Sequence, residues 1–194
     1  MAFAVLYGAG SGALHAVSGP DHVLCLGPVA LNHPRAPWKI GLFWGFGHAL
    51  GTLLLAIPAL LLAQLVSLPS LASWGTRFAG FALLAMAVWS WRSMHQQLAN
   101  RGPELRSPLL VGFVHGATGA GSLLLVLPVL LAGSLAGSVL FLVAFAVGST
   151  VAMAGLTAAI AKLGARLRPA LLERARVCLS ALSFGFGAYL LITG

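Results

Sequence analysis

His15-Ala16-Val17-Ser18-Gly19-Pro20-Asp21-His22 lies inside a long apolar run, from about residue 3 to residue 31. It sets two imidazoles and a carboxylate where hydrocarbon neighbours are expected. A charged side chain at the centre of a bilayer costs at least about 2.5–3.5 kcal/mol on insertion scales, so it is read first as functional. Asp21 is one of only three acidic residues, with Glu104 and Glu173. Gly19-Pro20 directly precedes it. Proline lacks a backbone donor and clashes with the carbonyl four residues back, here Ala16, so a break or kink is predicted at this point. Ser18 ahead of Pro20 and Asp21 resembles the start of a new helix, with Ser18 as its cap. An interrupted helix carrying His, Asp and His has the layout of an ion site.

The rest of the chain reads as housing for that stretch. Of 194 residues, 59% are hydrophobic and 7% charged. Such a composition cannot cover a water-facing surface with charge and places the chain among membrane proteins. A span needs about 20 apolar residues. Six runs qualify, near residues 3–31, 40–66, 74–91, 109–132, 139–163 and 177–192. None shows the alternation of a membrane barrel. The expected fold is therefore an all-α polytopic membrane protein with six transmembrane helices in a single domain, residues 1–194. The N-terminus lacks a charged leader region, so no cleaved signal peptide is expected. Cys25 and Cys178 fall in apolar runs and read as small buried hydrophobes; no Cys-x-x-Cys is present.

The net charge of +8 does not point to nucleic acid, because the positive residues sit between the apolar runs. Arg35 and Lys39 follow the first run, Arg92, Arg101 and Arg106 the third, and Lys162, Arg166, Arg168, Arg174 and Arg176 the fifth. These ten face Arg77 alone on the other side. The positive-inside rule then puts those three loops in the cytoplasm and both termini outside it, in a cell inner (plasma) membrane.

A shift of 100 positions aligns Gly12-Ala13-Leu14-His15 with Gly112-Phe113-Val114-His115, Gly19 with Gly119, and Pro28-Val29-Ala30-Leu31 with Pro128-Val129-Leu130-Leu131. Trp44-Gly45-Phe46-Gly47-His48 similarly matches Phe145-Ala146-Val147-Gly148-Ser149. The expectation is two inverted three-helix repeats, about 3–98 and 107–194, as in many secondary transporters. Their paired interruptions would be Ser18-Gly19-Pro20 and Thr118-Gly119-Ala120-Gly121, near the midplane.

His15 and His22 in the first run, His48 in the second and His115 in the fourth are the intramembrane histidines; His33 and His95 fall in loops. Neutral imidazole suits first-row transition metals, whereas Ca²⁺ and Mg²⁺ prefer oxygen shells. His15, Asp21, His22, His48 and His115 are therefore the candidate metal ligands. On a straight helix His15 and His22 share a face but stand about 10.5 Å apart along the axis. One ion bonded at about 2.0–2.1 Å cannot reach both, so the Gly19-Pro20 break has to close the gap, or the residues form successive stations. Gly41, Gly45, Gly47 and Gly51 around His48 are spaced for close helix packing.

The three segments HAVSGPDH, WGFGHALG and HGATGAGSLLLVLP resemble those of NicO-type nickel/cobalt transporters, in their UreH-like branch. That resemblance implies permeation of Ni²⁺ or Co²⁺, with His15, Asp21 and His22 matching the first signature and His48 and His115 the histidines of the other two. After His115 this chain carries Gly119-Ala120-Gly121-Ser122 where the branch tends to Gly-Pro-Gly-Gly.

The expected function is a secondary transporter of divalent nickel or cobalt, with uptake favoured. Inward movement of a divalent cation gains about 4.6 kcal/mol at 100 mV, and no P-loop is present to couple ATP. The ion is cargo, with no permanent cofactor, and the lipid bilayer is the other partner; a homo-oligomer stays open. The alternatives are a membrane scaffold that hands metal to a metalloenzyme, or efflux of the same ions. No enzyme is expected, since no nucleophile or substrate pocket is recognisable.

Overall fold

The computed structural model describes residues 1–33, 35–62, 105–118 and 134–193, with positions 77, 80–81, 83–85, 87–88 and 91–92 between them. The regular elements among these residues are α-helical. They are α1 (Ala2–Ser18), α2 (Pro20–Asn32), α3 (Pro37–Leu62), α4 (Arg106–Thr118), α5 (Leu135–Gly164) and α6 (Pro169–Thr193). Proline opens α2, α3 and α6. Its missing N–H would have no intrahelical partner there, and its fixed φ already suits a helix. Ser134 caps α5, its hydroxyl accepting the Gly137 N–H at 3.1 Å.

The interruption between α1 and α2 is one residue long. Gly19 has φ −71° and ψ 113°, extended backbone of the kind a following proline demands. Its N–H still donates to the His15 carbonyl, closing α1. Ser18 is the last residue of α1 and does not cap α2, whose start carries no side-chain cap. Glycine leaves room here for two neighbouring side chains. A Cβ here would lie 2.6 Å from both Asp21 Oδ1 and His22 Nδ1.

Glycines also set the helix approaches. Gly8 and Gly12 of α1 lie against the Phe141 and Phe145 carbonyls of α5, and Gly148 answers against the Ala9 carbonyl. α3 uses two glycine faces. Gly41 and Gly45 meet Met153 and Thr150 of α5, while Gly47 and Gly51 meet the Leu109 and Phe113 carbonyls of α4. In return Gly112 and Gly116 abut the Trp44 and His48 carbonyls. The spacing read as small-residue packing thus describes real contacts, and it brings His48 and His115 onto neighbouring turns. Ala16, Cys25, Leu26, Val29, Ile40, Trp44, Leu83 and Met153 form the buried apolar cluster beside them.

α6 holds α2 by its spare carbonyls. Pro28 inside α2 supplies no N–H to the Leu24 carbonyl. The Ser183 hydroxyl of α6 lies 2.6 Å from that oxygen and 2.7 Å from Leu179 O of its own helix. Arg176 Nη2 donates to the Leu31 carbonyl at 2.7 Å, near the end of α2. Ser183 is fully buried. Ser183→Ala is expected to lose about 1 kcal/mol. That corresponds to a melting temperature about 2–4 °C lower in a chain of this size, read by thermal unfolding in detergent. An unchanged midpoint would show that α2 does not depend on this bond.

Two of the described helices, α5 and α6, are long and apolar enough to cross a membrane. Only 33% and 17% of their most apolar windows are buried inside the bundle, unlike the core helix of a soluble protein. Val139, Val143, Val147 and Val151 make an exposed stripe along α5. The expected six transmembrane helices in two inverted three-helix repeats are not found among the described residues. Gly19 divides the first apolar run into helices of 17 and 13 residues, and the described part of the fourth is the 13-residue α4. What stands is an all-helical bundle in which two helices meet both the length and the apolarity needed to cross a membrane, among the described residues. Half of the 74–91 run, the 119–121 interruption and the repeat matches at 126–131 lie outside the described residues. Cys25 is buried and Cys178 exposed, both as free thiols.

Candidate metal centre

Four helices deliver the five side chains singled out above. α1 brings His15 from its last turn, and α2 brings Asp21 and His22 from its first. α3 brings His48, and α4 brings His115 from its last turn. The Gly19 break does the decisive work. It turns α2 so that the His15 and His22 rings lie 4.9 Å apart, centre to centre, where a straight helix would hold them about 10.5 Å apart along its axis. Asp21 in the first turn of α2 also sits where the helix dipole favours a negative charge.

His22 is the hub. Its ring centre is 5.1 Å from that of His48 and 5.4 Å from that of His115. The His48 and His115 rings are 5.6 Å apart, and those of His15 and His48 5.8 Å. His115 Nε2–H donates to Asp21 Oδ2 at 3.0 Å. His22, His48 and His115 are buried, whereas the Asp21 side chain keeps 27% of its surface accessible.

Two groups of donor atoms are close enough to share an ion. They are His15, His22 and His48, and Asp21, His22 and His115, with one donor atom from each residue lying within 4.8 Å of the others. Two ligands on one ion can be at most about 4.2 Å apart, twice a bond of about 2.1 Å. Three ligands around one ion stand closer, about 3.4–3.6 Å apart, so side-chain shifts of up to about 1 Å would close either group.

Polar satisfaction points the same way. Buried ring nitrogens normally find a hydrogen-bond partner. Neither nitrogen of His22 has one among the described residues, and nor does His48 Nδ1. The His15 backbone lies beside the His22 ring without forming such a bond. Leaving a buried donor or acceptor unmade costs about 1–3 kcal/mol. A metal ion would use these lone pairs.

Trp44 belongs to this centre as well, and the sequence reading missed it. Its indole stacks on His48 at 5.3 Å and 8° and meets the His22 and His115 rings at 5.5 and 5.2 Å. The signal was its spacing, four residues before His48 and hence on the same helix face. Phe145 of α5 covers His15 at 5.6 Å. His33 lies away from the cluster at the end of α2, where Nδ1–H donates to the Val29 carbonyl at 3.2 Å. Burial holds its pKa below the ordinary histidine value, with that hydrogen bond acting the other way. His95 lies outside the described residues.

No protein-family profile matches the chain, and no solved structure matches it. Among curated proteins it is similar to Chloroplast protein FOR GROWTH AND FERTILITY 2 of Arabidopsis thaliana, at 28% identity over 202 residues, covering 94% of this chain and 54% of that protein. It is similarly related to Chloroplast protein FOR GROWTH AND FERTILITY 1 of the same plant, at 28% over 209 residues, covering 94% and 57%. The chain spans about half the length of these relatives. The resemblance to NicO-type transporters is corrected by these findings: the relatives are named as chloroplast proteins, and no profile supports the NicO family. A plasma membrane is likewise not supported; association with a membrane, weakly suggested by the two apolar helices, is what stands.

Proposed function

We propose that this chain binds a first-row divalent transition-metal ion inside its helical bundle and passes it across a membrane, without enzymatic turnover. The observation that carries the reading is the convergence of four imidazoles and one carboxylate from four helices, with no hydrogen-bond partner for the nitrogens of His22 among the described residues. Neutral imidazoles with one carboxylate suit ions such as Ni²⁺ and Co²⁺ better than Ca²⁺ or Mg²⁺. The single carboxylate offsets half of the ion's charge, which keeps binding loose enough for release. The exposed apolar faces of α5 and α6 support a lipid setting. Lys162, Arg166 and Arg168 cluster at the turn between those helices, and that end is proposed to face the side from which the chain is inserted.

The test is flux. Purified full-length chain in liposomes, with Ni²⁺ or Co²⁺ outside and a metal-quenched dye inside, is expected to admit metal faster than empty liposomes. Asp21→Asn is expected to lower the rate at least about tenfold, since a carboxylate–ion contact of even 1.4 kcal/mol corresponds to that factor. Acid outside should slow entry, because ligation requires unprotonated imidazole. Wild-type flux no greater than that of empty liposomes would remove the transport reading.

A further inference from the structure

The five donors do not make one shell. They fall into the two triads described above, and His22 belongs to both. The triads differ in chemistry, and each joins one part-exposed residue to two buried ones. One is three imidazoles, with His22 and His48 buried and His15 part-exposed beside the Phe145 ring. The other contains the part-exposed Asp21 with the buried His22 and His115. The two nitrogens of an imidazole point in different directions, and both nitrogens of His22 lack a partner among the described residues.

Resting on the metal-binding reading above, we infer that the centre is two adjacent stations hinged on His22. One station, the carboxylate station, holds the ion by the Asp21 carboxylate and the His22 and His115 imidazoles. The other, the imidazole station, holds it by His15, His22 and His48. An ion moves between them by releasing Asp21 and His115 as it gains His15 and His48, so it is never stripped of protein ligands. Neutral imidazole has one lone pair, so a change of bonding nitrogen on His22 also moves its proton: the receiving nitrogen gives its N–H proton to the Asp21 carboxylate as that leaves the ion, and the released nitrogen takes it up. Passage through both stations makes a filter: the carboxylate station accepts a range of divalent cations, while the all-imidazole station excludes those that require oxygen.

Co²⁺ is the probe, because its visible absorption and X-ray absorption report ligand type and number. The full chain in lipid nanodiscs is loaded with one equivalent, as wild type, Asp21→Asn, His48→Phe and His22→Leu. His48→Phe keeps a ring against Trp44 and so guards against collapse. Asp21→Asn is expected to retain one Co²⁺ bound by three imidazoles. His48→Phe is expected to retain one Co²⁺ bound by two imidazoles and a carboxylate, and His22→Leu to retain none. Loss of Co²⁺ from both Asp21→Asn and His48→Phe, with wild type still loaded and all variants folded by circular dichroism, would mean one undivided site and overturn the inference alone. Retention by His22→Leu would also overturn it. Failure of wild type to hold Co²⁺ would overturn the metal reading beneath it.

Discussion

His22→Leu is expected to abolish high-affinity metal binding while leaving the metal-free protein as stable as before, or more so. The two effects have separate causes. Both donor triads pass through His22, so its loss leaves each with two ligands. Removing a shared ligand is expected to weaken Ni²⁺ binding by at least about 100-fold, or 2.8 kcal/mol. Meanwhile the wild-type ring buries two nitrogens without hydrogen-bond partners. Replacing such a group by an apolar side chain of similar volume removes a desolvation cost of about 1–3 kcal/mol. Leucine would pack against the Trp44, His15, His48 and His115 rings that surround this position. The metal-free midpoint should therefore hold or rise by a few degrees, at about 2–4 °C per kcal/mol. Stability lost to keep a site is the usual signature of function. Equilibrium dialysis and thermal unfolding together check this. Retained affinity with a lowered midpoint would mark His22 as a packing residue.

Gly19→Ala is expected to damage the site without damaging the fold. Its φ of −71° and ψ of 113° suit alanine, so the backbone bears no strain. Taken alone, the change should even stabilise the chain by about 0.4–1 kcal/mol, through a less flexible unfolded state. The new methyl, however, would stand 2.6 Å from Asp21 Oδ1 and His22 Nδ1. Those two groups have to retreat by roughly 1 Å, and binding constellations tolerate only about 0.5 Å. Affinity for Ni²⁺ should fall at least about tenfold, with helical content by circular dichroism unchanged. Undiminished affinity would show that the geometry at the break does not matter to the ion.

What could be read from the sequence was local. Gly19 and Pro20 act on their own backbone, so the break after α1 follows from residue type. Asp21 and the histidines stand out because burying them in an apolar run is costly. Gly41, Gly45, Gly47 and Gly51 announced close packing because a missing Cβ has only a few uses on one face of a helix. The number of spans was not legible in the same way. Hydropathy sums apolar length from residue 3 to 31, but one extended residue at Gly19 cuts that run into helices of 17 and 13 residues. Ser18 has the chemistry of a cap, yet Gly19 takes the position because only glycine leaves room for Asp21 and His22. Trp44 was not singled out, since its role depends on where α2 and α4 bring their histidines. The likeness to NicO-type segments records the same local chemistry of break and ligands, and such short segments do not establish descent.

The central claim is that buried imidazoles from separate helices hold one metal ion. X-ray absorption of the wild-type chain in lipid, loaded with one equivalent of Ni²⁺ and washed free of excess, tests it most directly. The expected spectrum has nitrogen at about 2.1 Å, with the outer-shell scattering of at least two imidazole rings. A spectrum of water oxygens alone, or no retained nickel, would contradict it.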